Sequence, residues 1–211
     1  MILAILAENE IKQEILDKGI PESIEVIWVD SIRSLCMIEA DAWFDLQFEP
    51  DPERTAQLKK IQAPVLFIGS NEYTCAQIGI HCTRINDWPG FINRPILELA
   101  TPSGILHPAA AKLLEALHWD YEITPDIPGF ISSRVVASLV NEAYYTLQQQ
   151  VSSKQDIDTA MKFGTNYPYG PFEWSGKIGL KKIASLLHVL AHKDDRYTVS
   201  KLLEQEAEEL D

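Results

Sequence analysis

The polar side chains between positions 81 and 98 have types that could support acid–base chemistry. His81 and Asp87 can each accept a proton, and Glu98 carries a further carboxylate in the same segment. A structural interpretation stays open beside the chemical one. An isolated histidine is more often structural than catalytic, and Glu98 could instead pair with Arg84 or Arg94.

The first half of the chain alternates between short apolar runs and segments with helical spacing. Strands are predicted at residues 2–7, 24–29, 42–48 and 64–68, with further candidates at 82–85 and 96–100 and an edge strand at 121–124. Helices are predicted at residues 9–18, 32–38, 53–61 and 109–117. Because strands that alternate with helices form parallel pairs, this half predicts a mostly parallel, doubly wound sheet.

The second half has only helical periodicity. One apolar stripe follows Arg134, and its members are Val135, Val136, Leu139, Val140, Ala143, Tyr144 and Leu147. Ser153 is placed to cap a following helix, residues 164–170 are predicted as a loop, and further helices are predicted at 177–190 and 199–209. The sequence therefore predicts an α/β domain over residues 1–124 and an all-helical domain over residues 125–211.

Charge and composition exclude several classes of function. The formal net charge of −13 opposes binding to nucleic acid or to anionic membranes, and no apolar run approaches the length of a membrane span. The first seven residues enter Glu8 and Glu10 without a basic segment, so they are typical of a strand and not of a signal peptide. Three cysteines without metal-like spacing indicate reduced thiols, no metal site and a cytoplasmic protein.

Several blocks of the second half resemble the 3-hydroxyacyl-CoA dehydrogenase family. Residues 126–134 read D-I-P-G-F-I-S-S-R and resemble the family signature D-x-P-G-F-I-x-N-R. Asn141-Glu142-Ala143, the run 157–162, Y-P-Y-G-P-F-E at 167–173 and Ile178-Gly179-Leu180 follow in the family's order and spacing. The resemblance implies a Rossmann-like first domain, a helical second domain that dimerises, and an acyl-CoA-like ligand.

The first half resembles the family more weakly. Residues 40–45 lie where the family has A-D-L-V-I-E, Ser70-Asn71 where it has S-N-T-S-S, and residues 96–99 where it has L-V-E-V. The family's long helical insertion has no counterpart between Asp30 and Ala40. The nucleotide-binding domain is therefore expected to be abbreviated.

The junction between the first strand and the first helix lacks the glycines of a dinucleotide site. It reads Ala7-Glu8-Asn9-Glu10-Ile11-Lys12. Glycines there let a pyrophosphate approach the helix N-terminus, and carboxylates at that position repel it while suiting the helix dipole. Asp30 occupies the place of a ribose-binding acid, although a lone Asp after a strand is usually a turn residue. No cofactor is therefore expected.

The family's catalytic residues are mostly replaced in this chain. The resemblance gives the family a His that accepts the substrate's hydroxyl proton and a Glu that orients it. With Glu98 at the Glu position, Asn86 stands at the His position and cannot act as a base near neutrality. Ser133 stands at the family Asn position and Tyr73 at the family Ser position. His81, five positions before Asn86, or Asp87 is then the candidate substitute base.

Three hypotheses follow for function. The first is a catalytically impaired or repurposed family member that keeps a ligand or partner site. The second is a working NAD-dependent 3-hydroxyacyl-CoA dehydrogenase with unusual site residues. The third is a structural dimeric partner subunit. The site residues favour the first, because function resides in the site and not in the fold.

Overall fold

The computed structural model describes residues 1–61 and 65–209. These residues divide into two compact units, one up to Phe130 and the other from Ile131 onward. The sequence predicts the division at residues 124 and 125. In the described part of the chain, no helix is long and apolar enough to cross a membrane.

The first unit alternates strands and helices along the chain. Its strands are β1 (Ile2–Leu6), β2 (Glu25–Val29), β3 (Ala42–Asp45), β4 (Leu66–Gly69), β5 (Thr83–Ile85), β6 (Ile96–Ala100) and β7 (Asp120–Thr124). Its helices are α1 (Asn9–Lys18), α2 (Ile32–Leu35), α3 (Pro52–Leu58), α4 (Cys75–Ile78) and α5 (Pro108–Leu117). The predicted alternation is confirmed. The predicted strand at 64–68 lies partly outside the described residues.

All seven strands belong to one sheet in the order β2-β1-β3-β4-β5-β6-β7. Neighbours are parallel except for β5 and β6, which are antiparallel. Antiparallel neighbours need no crossover helix, and residues 86–95 join this pair as a loop. The mostly parallel, Rossmann-like sheet is confirmed, and the ends of β4 and β5 lie side by side.

Helices cover both faces of the sheet, as a doubly wound fold requires. Leu3 and Ile5 of β1 belong to one apolar cluster with residues of α1 and α5. Ala4 and Leu6 belong to another cluster with residues of α2, α3 and α4. Because successive residues of a strand face opposite sides, β1 contributes to both clusters and is buried from Leu3 to Leu6.

The second unit contains α6 (Ser132–Gln148), α7 (Lys154–Thr165), α8 (Pro171–Ile178), α9 (Leu180–Ala191), a short 3₁₀ turn (Asp195–Tyr197) and α10 (Lys201–Glu208). The single helix predicted over 177–190 is wrong. Gly179 interrupts it with φ +95°, a conformation that favours glycine, so α8 ends and α9 begins there. Ser153 caps α7 as predicted, because its side chain accepts a hydrogen bond from the Asp156 N–H.

None of the residues of α7 is buried, and polar contacts connect this helix to α10 and α8. Lys154 forms an ion pair with Glu206 of α10 at 2.6 Å. The Asp158 carboxylate accepts hydrogen bonds from the backbone N–H groups of Phe172 and Glu173 at the start of α8. A Cβ at Gly170 would lie 2.3 Å from the Asp158 carboxyl carbon, which explains the glycine in the Y-P-Y-G-P block.

Candidate functional site

The first part of the site is a side-chain pair between the loop after β5 and the middle of β6. Asn86 follows β5 directly and is 2% exposed. Its amide Nδ2 donates a hydrogen bond to Glu98 Oε2 at 2.8 Å, and its backbone N–H donates to the Glu98 carbonyl at 3.1 Å. Antiparallel pairing of β5 and β6 brings these residues together. The amide therefore occupies one carboxylate oxygen of Glu98.

A second amide–carboxylate pair lies beside the first. Asn71, at the end of β4, is 1% exposed, and its Nδ2 donates to Asp87 Oδ1 at 3.3 Å. Asp87 packs so closely on β4 that a Cβ at Gly69 would lie 2.0 Å from Asp87 Oδ2. Glycine is thus required at position 69, and the adjacent residues Asn86 and Asp87 link the two pairs.

Arg94 compensates the negative charge near Glu98. Burial lowers the pKa of the Arg94 guanidinium, and the nearby carboxylates of Glu98 and Glu14 oppose that shift. The guanidinium also lies 3.9 Å from the Phe91 ring centroid, and its Nε donates to the Gly90 carbonyl at 3.2 Å. The sequence interpretation of Glu98 as a partner of arginine is consistent with Arg94, whereas Arg84 binds elsewhere.

Arg84 on β5 is fully buried and binds the last residues of the first unit. Its Nε and Nη2 donate to the Ser70 carbonyl at 3.2 and 3.0 Å, and its Nη1 donates to Asp126 Oδ1 at 2.7 Å. Asp126 in turn accepts hydrogen bonds from the Cys75 N–H at 3.0 and 3.1 Å. The guanidinium lies 4.7 Å from the Phe130 ring centroid. One buried cation therefore joins β4, β5 and residues 126–130.

The ends of β1 and β2 border an open pocket with acidic walls. Glu8, Glu10 and Asp30 line it together with Lys12 and Trp28. The Lys12 ammonium lies 4.9 Å from the Trp28 ring centroid. Ligands of doubly wound folds bind at the carboxyl ends of strands, and a pyrophosphate at the start of α1 would meet the carboxylates of Glu8 and Glu10, whereas Asp30 lies where such folds hold a ribose. These residues do not fit a dinucleotide.

Of the other predicted site residues, Tyr73 and His81 belong to the first unit and Ser133 to the second. Tyr73 packs against the cluster of α2, α3 and α4. His81 is exposed and precedes β5, whereas Asn86 follows it, so the strand separates His81 from Glu98. Ser133 belongs to the second unit, is fully buried, and its hydroxyl has no hydrogen-bond partner among the described residues.

Sequence reasoning missed three members of this region. Asn71 was noted only as part of the Ser70-Asn71 resemblance, although a polar residue directly after a parallel strand is a recognisable signal. In the sequence analysis, Arg84 is considered only as a partner of Glu98, although a charged residue inside the predicted strand 82–85 is compatible with a buried ion pair. Asp126 opens the block that resembles the family signature, but no local signal indicates its partner, because Arg84 is 42 residues earlier in the chain.

The comparisons with known proteins agree with this fold. Residues 129–210 match the family "3-hydroxyacyl-CoA dehydrogenase, C-terminal domain". The chain is 48% identical over 84 residues to 3-hydroxyadipyl-CoA dehydrogenase of Escherichia coli, which covers 39% of this chain and 18% of that protein. It is 35% identical over 97 residues to 3-hydroxybutyryl-CoA dehydrogenase of Bradyrhizobium diazoefficiens, and this alignment covers 45% of this chain and 33% of that protein.

Solved structures extend the similarity to both units. The 3-hydroxybutyryl-CoA dehydrogenase of Escherichia coli aligns at 32% identity with a TM-score of 0.57, covering 67% of this chain and 31% of that one. The (S)-3-hydroxybutyryl-CoA dehydrogenase of Ralstonia eutropha aligns with a TM-score of 0.71 over 97% of this chain and 92% of that one. Identity there is 17%, so this likeness shows the fold alone.

A doubly wound α/β unit followed by a helical unit is also the fold of the solved dehydrogenase structure that aligns over 97% of this chain. The match to the C-terminal domain of the 3-hydroxyacyl-CoA dehydrogenase family covers the helical unit, so similarity to that family is shown for this part of the chain. The alignments span between 18% and 33% of the length of these two curated relatives.

Proposed function

We propose that this chain is a 3-hydroxyacyl-CoA dehydrogenase-like protein of acyl-CoA metabolism that has lost hydride transfer and retains a ligand site. The observation that carries the proposal is the Asn86 amide bound to Glu98 at 2.8 Å. A carboxamide has no useful pKa near neutrality, so it cannot accept the proton of a substrate hydroxyl. The three described cysteines are unpaired thiols, which supports a cytoplasmic location.

Loss of the cofactor is the second part of the proposal. The β1–α1 junction has no glycine, and Glu8 and Glu10 lie where a pyrophosphate would meet the helix N-terminus. The negative charge of these two carboxylates and the bulk of their side chains both oppose binding of a pyrophosphate.

A second candidate function keeps the enzyme active with NAD. One observation favours it: Asp87, a carboxylate adjacent to Asn86, lies in the same hydrogen-bonded region as Glu98. A carboxylate there could accept a proton if its pKa matched the task. His81 supports this alternative less well, because it lies at the other end of β5.

Calorimetric titration of the purified protein tests the proposal. We expect no heat of binding from NAD or NADH at micromolar concentrations, because the acidic junction repels the pyrophosphate. A separate calorimetric titration with acetoacetyl-CoA measures whether an acyl-CoA-like ligand binds. Micromolar binding of NADH would contradict the loss of the cofactor and favour the active-enzyme alternative.

We also propose that the helical unit forms a homodimer, which could serve the alternative role of a structural partner subunit. In the stripe predicted from the sequence, Val136, Val140 and Ala143 are buried, whereas Val135 is 52% exposed. Ile131 is 58% exposed and Phe163 of α7 is 85% exposed. Exposed apolar side chains of this size favour burial against another chain, at roughly 25 cal/mol per Å².

Light scattering at high micromolar concentration tests this dimer. We expect the mass of two chains for the wild type and a smaller average mass for Phe163→Asp, because a charge would then need desolvation at the interface. Met37→Asp is the matched control, since Met37 is 78% exposed in the first unit. A wild-type monomer would refute the dimer.

A further inference from the structure

The open pocket at the ends of β1 and β2 has the wrong charge for a nucleotide and the right charge for a cation. Its cavity of about 940 Å³ is lined by Glu8, Glu10 and Asp30 and by the basic side chain of Lys12. The start of α1 contributes roughly half a unit of positive charge, and the three carboxylates outweigh that charge and Lys12 together. Residues 1–130 also contain 20 Asp and Glu residues but nine Lys and Arg residues, so the field of the first unit attracts cations to this pocket.

The three carboxylates are placed at separate points of the pocket. Glu8 precedes α1 and Glu10 lies in its first turn, and residues two apart on a helix do not face each other. Asp30 follows β2, and its carboxylate accepts a long hydrogen bond from Ser34 Oγ at 3.4 Å. The part of the chain that the structure describes contains no three acidic, His or Cys side chains that could share a metal ion. A ligand that pairs with all three carboxylates therefore needs positive charges at separate points.

Part of the pocket wall is apolar and already holds an alkylammonium group of this chain. Ile27, Val29 and Ile38 line the pocket together with Trp28. The methylene stem of Lys12 carries its ammonium group to 4.9 Å from the Trp28 ring centroid. Long aliphatic cations bury their methylene groups on apolar surface, while aromatic rings and carboxylates contact the charged groups. The wall therefore suits a ligand that alternates methylene and ammonium groups.

We propose that this cavity, which we call the acidic pocket (Glu8, Glu10, Lys12, Trp28 and Asp30), binds an aliphatic polyamine. The carboxylates pair with the separate ammonium groups of the polyamine, and the apolar wall packs against the methylene groups between them. The inference rests on the proposed loss of the cofactor, because a dinucleotide would occupy the same cavity. The charges that exclude a pyrophosphate are thus the charges that select the polyamine.

Calorimetry on the wild-type chain at low ionic strength tests the proposal with probes of similar length and different charge. The probes are spermidine, octane-1,8-diamine, octane-1,8-diol and octanedioate. We expect spermidine to bind tightest and the diamine about 2- to 5-fold more weakly, because one solvent-exposed ion pair contributes little. The diol and the dicarboxylate should give no heat of binding at millimolar concentration.

Two results would overturn the proposal: no binding of spermidine at millimolar concentration, or binding of the diol as tight as that of the diamine. If NADH also fails to bind, the first result leaves the proposed function standing. Binding of NADH, measured separately, would instead contradict the proposed function.

A triple variant locates the binding in the acidic pocket. Glu8→Gln/Glu10→Gln/Asp30→Asn removes three exposed carboxylates and should weaken the binding of spermidine by about 10- to 100-fold. The matched control, Glu22→Gln/Glu115→Gln/Glu122→Gln, removes the same charge from exposed positions of the first unit outside the pocket. Its effect should stay within about 2-fold, because charges beyond a Debye length are screened. Equal weakening by both variants would overturn the assignment, and the wild-type order of the four probes decides the proposal if the pocket variant does not fold.

Discussion

Purified protein mixed with NADH and acetoacetyl-CoA is expected to show no hydride transfer above background. Asn86 holds Glu98 through its amide, and an amide cannot take up or supply the proton that must move with the hydride. General acid–base assistance is typically worth about 10²- to 10⁴-fold in rate. Loss of cofactor orientation adds a separate defect. The measurement is NADH absorbance with time at millimolar substrate.

Variants distinguish the loss of the catalytic base alone from the loss of both the base and the cofactor site. Asn86→His is expected to stay inactive, because the acidic β1–α1 junction still excludes the cofactor. Under the active-enzyme alternative the wild type turns over, and Asp87→Ala or His81→Ala abolishes that turnover. Robust wild-type activity would therefore end the proposal of an inactive protein, and the two alanine variants would identify the base.

Replacement of Arg84 by methionine is expected to destabilise the first unit by about 3–5 kcal/mol, the usual cost of removing one partner from a buried ion pair. Arg84 is fully buried, and its loss leaves Asp126 and the Ser70 carbonyl without their cationic donor. Phe130, at φ +43°, would also lose its contact with the guanidinium, and a left-handed phenylalanine persists only where surrounding contacts support it. Urea unfolding followed by tryptophan fluorescence measures the change.

Arg33→Met is the matched control, because Arg33 is exposed on the short helix α2. That substitution should change the free energy of unfolding by less than about 0.5 kcal/mol, as for most surface positions. The free energy of unfolding of the double variant Arg84→Met/Asp126→Leu should fall by less than the sum of the decreases in the two single variants, because neither charge of the pair is left unpaired. An Arg84→Met protein as stable as wild type would contradict a structural role for the pair.

Local patterns in the sequence determined the order and type of most elements. α1 and β6 were predicted with the bounds that the structure has, since apolar spacing and the Gly19-Ile20-Pro21 stop are local signals. The helix α4 was missed because it has only four residues, although Thr74 and Gln77 form a capping box around its start. The absence of glycine from the β1–α1 junction is also evident from the sequence, because it depends only on which residues are present there.

Only the tertiary structure decided which polar groups meet. Glu98 could have bound Arg84, Arg94 or a base, and all were near in sequence. Pairing of β5 with β6 selected Asn86, and the buried position of Arg84 directed it to Asp126. Asp87 and Asn71 are 16 residues apart, and adjacent parallel strands bring them together. Short-range propensity sets helices and strands, whereas contacts between distant residues depend on strand order and register, which no local pattern encodes.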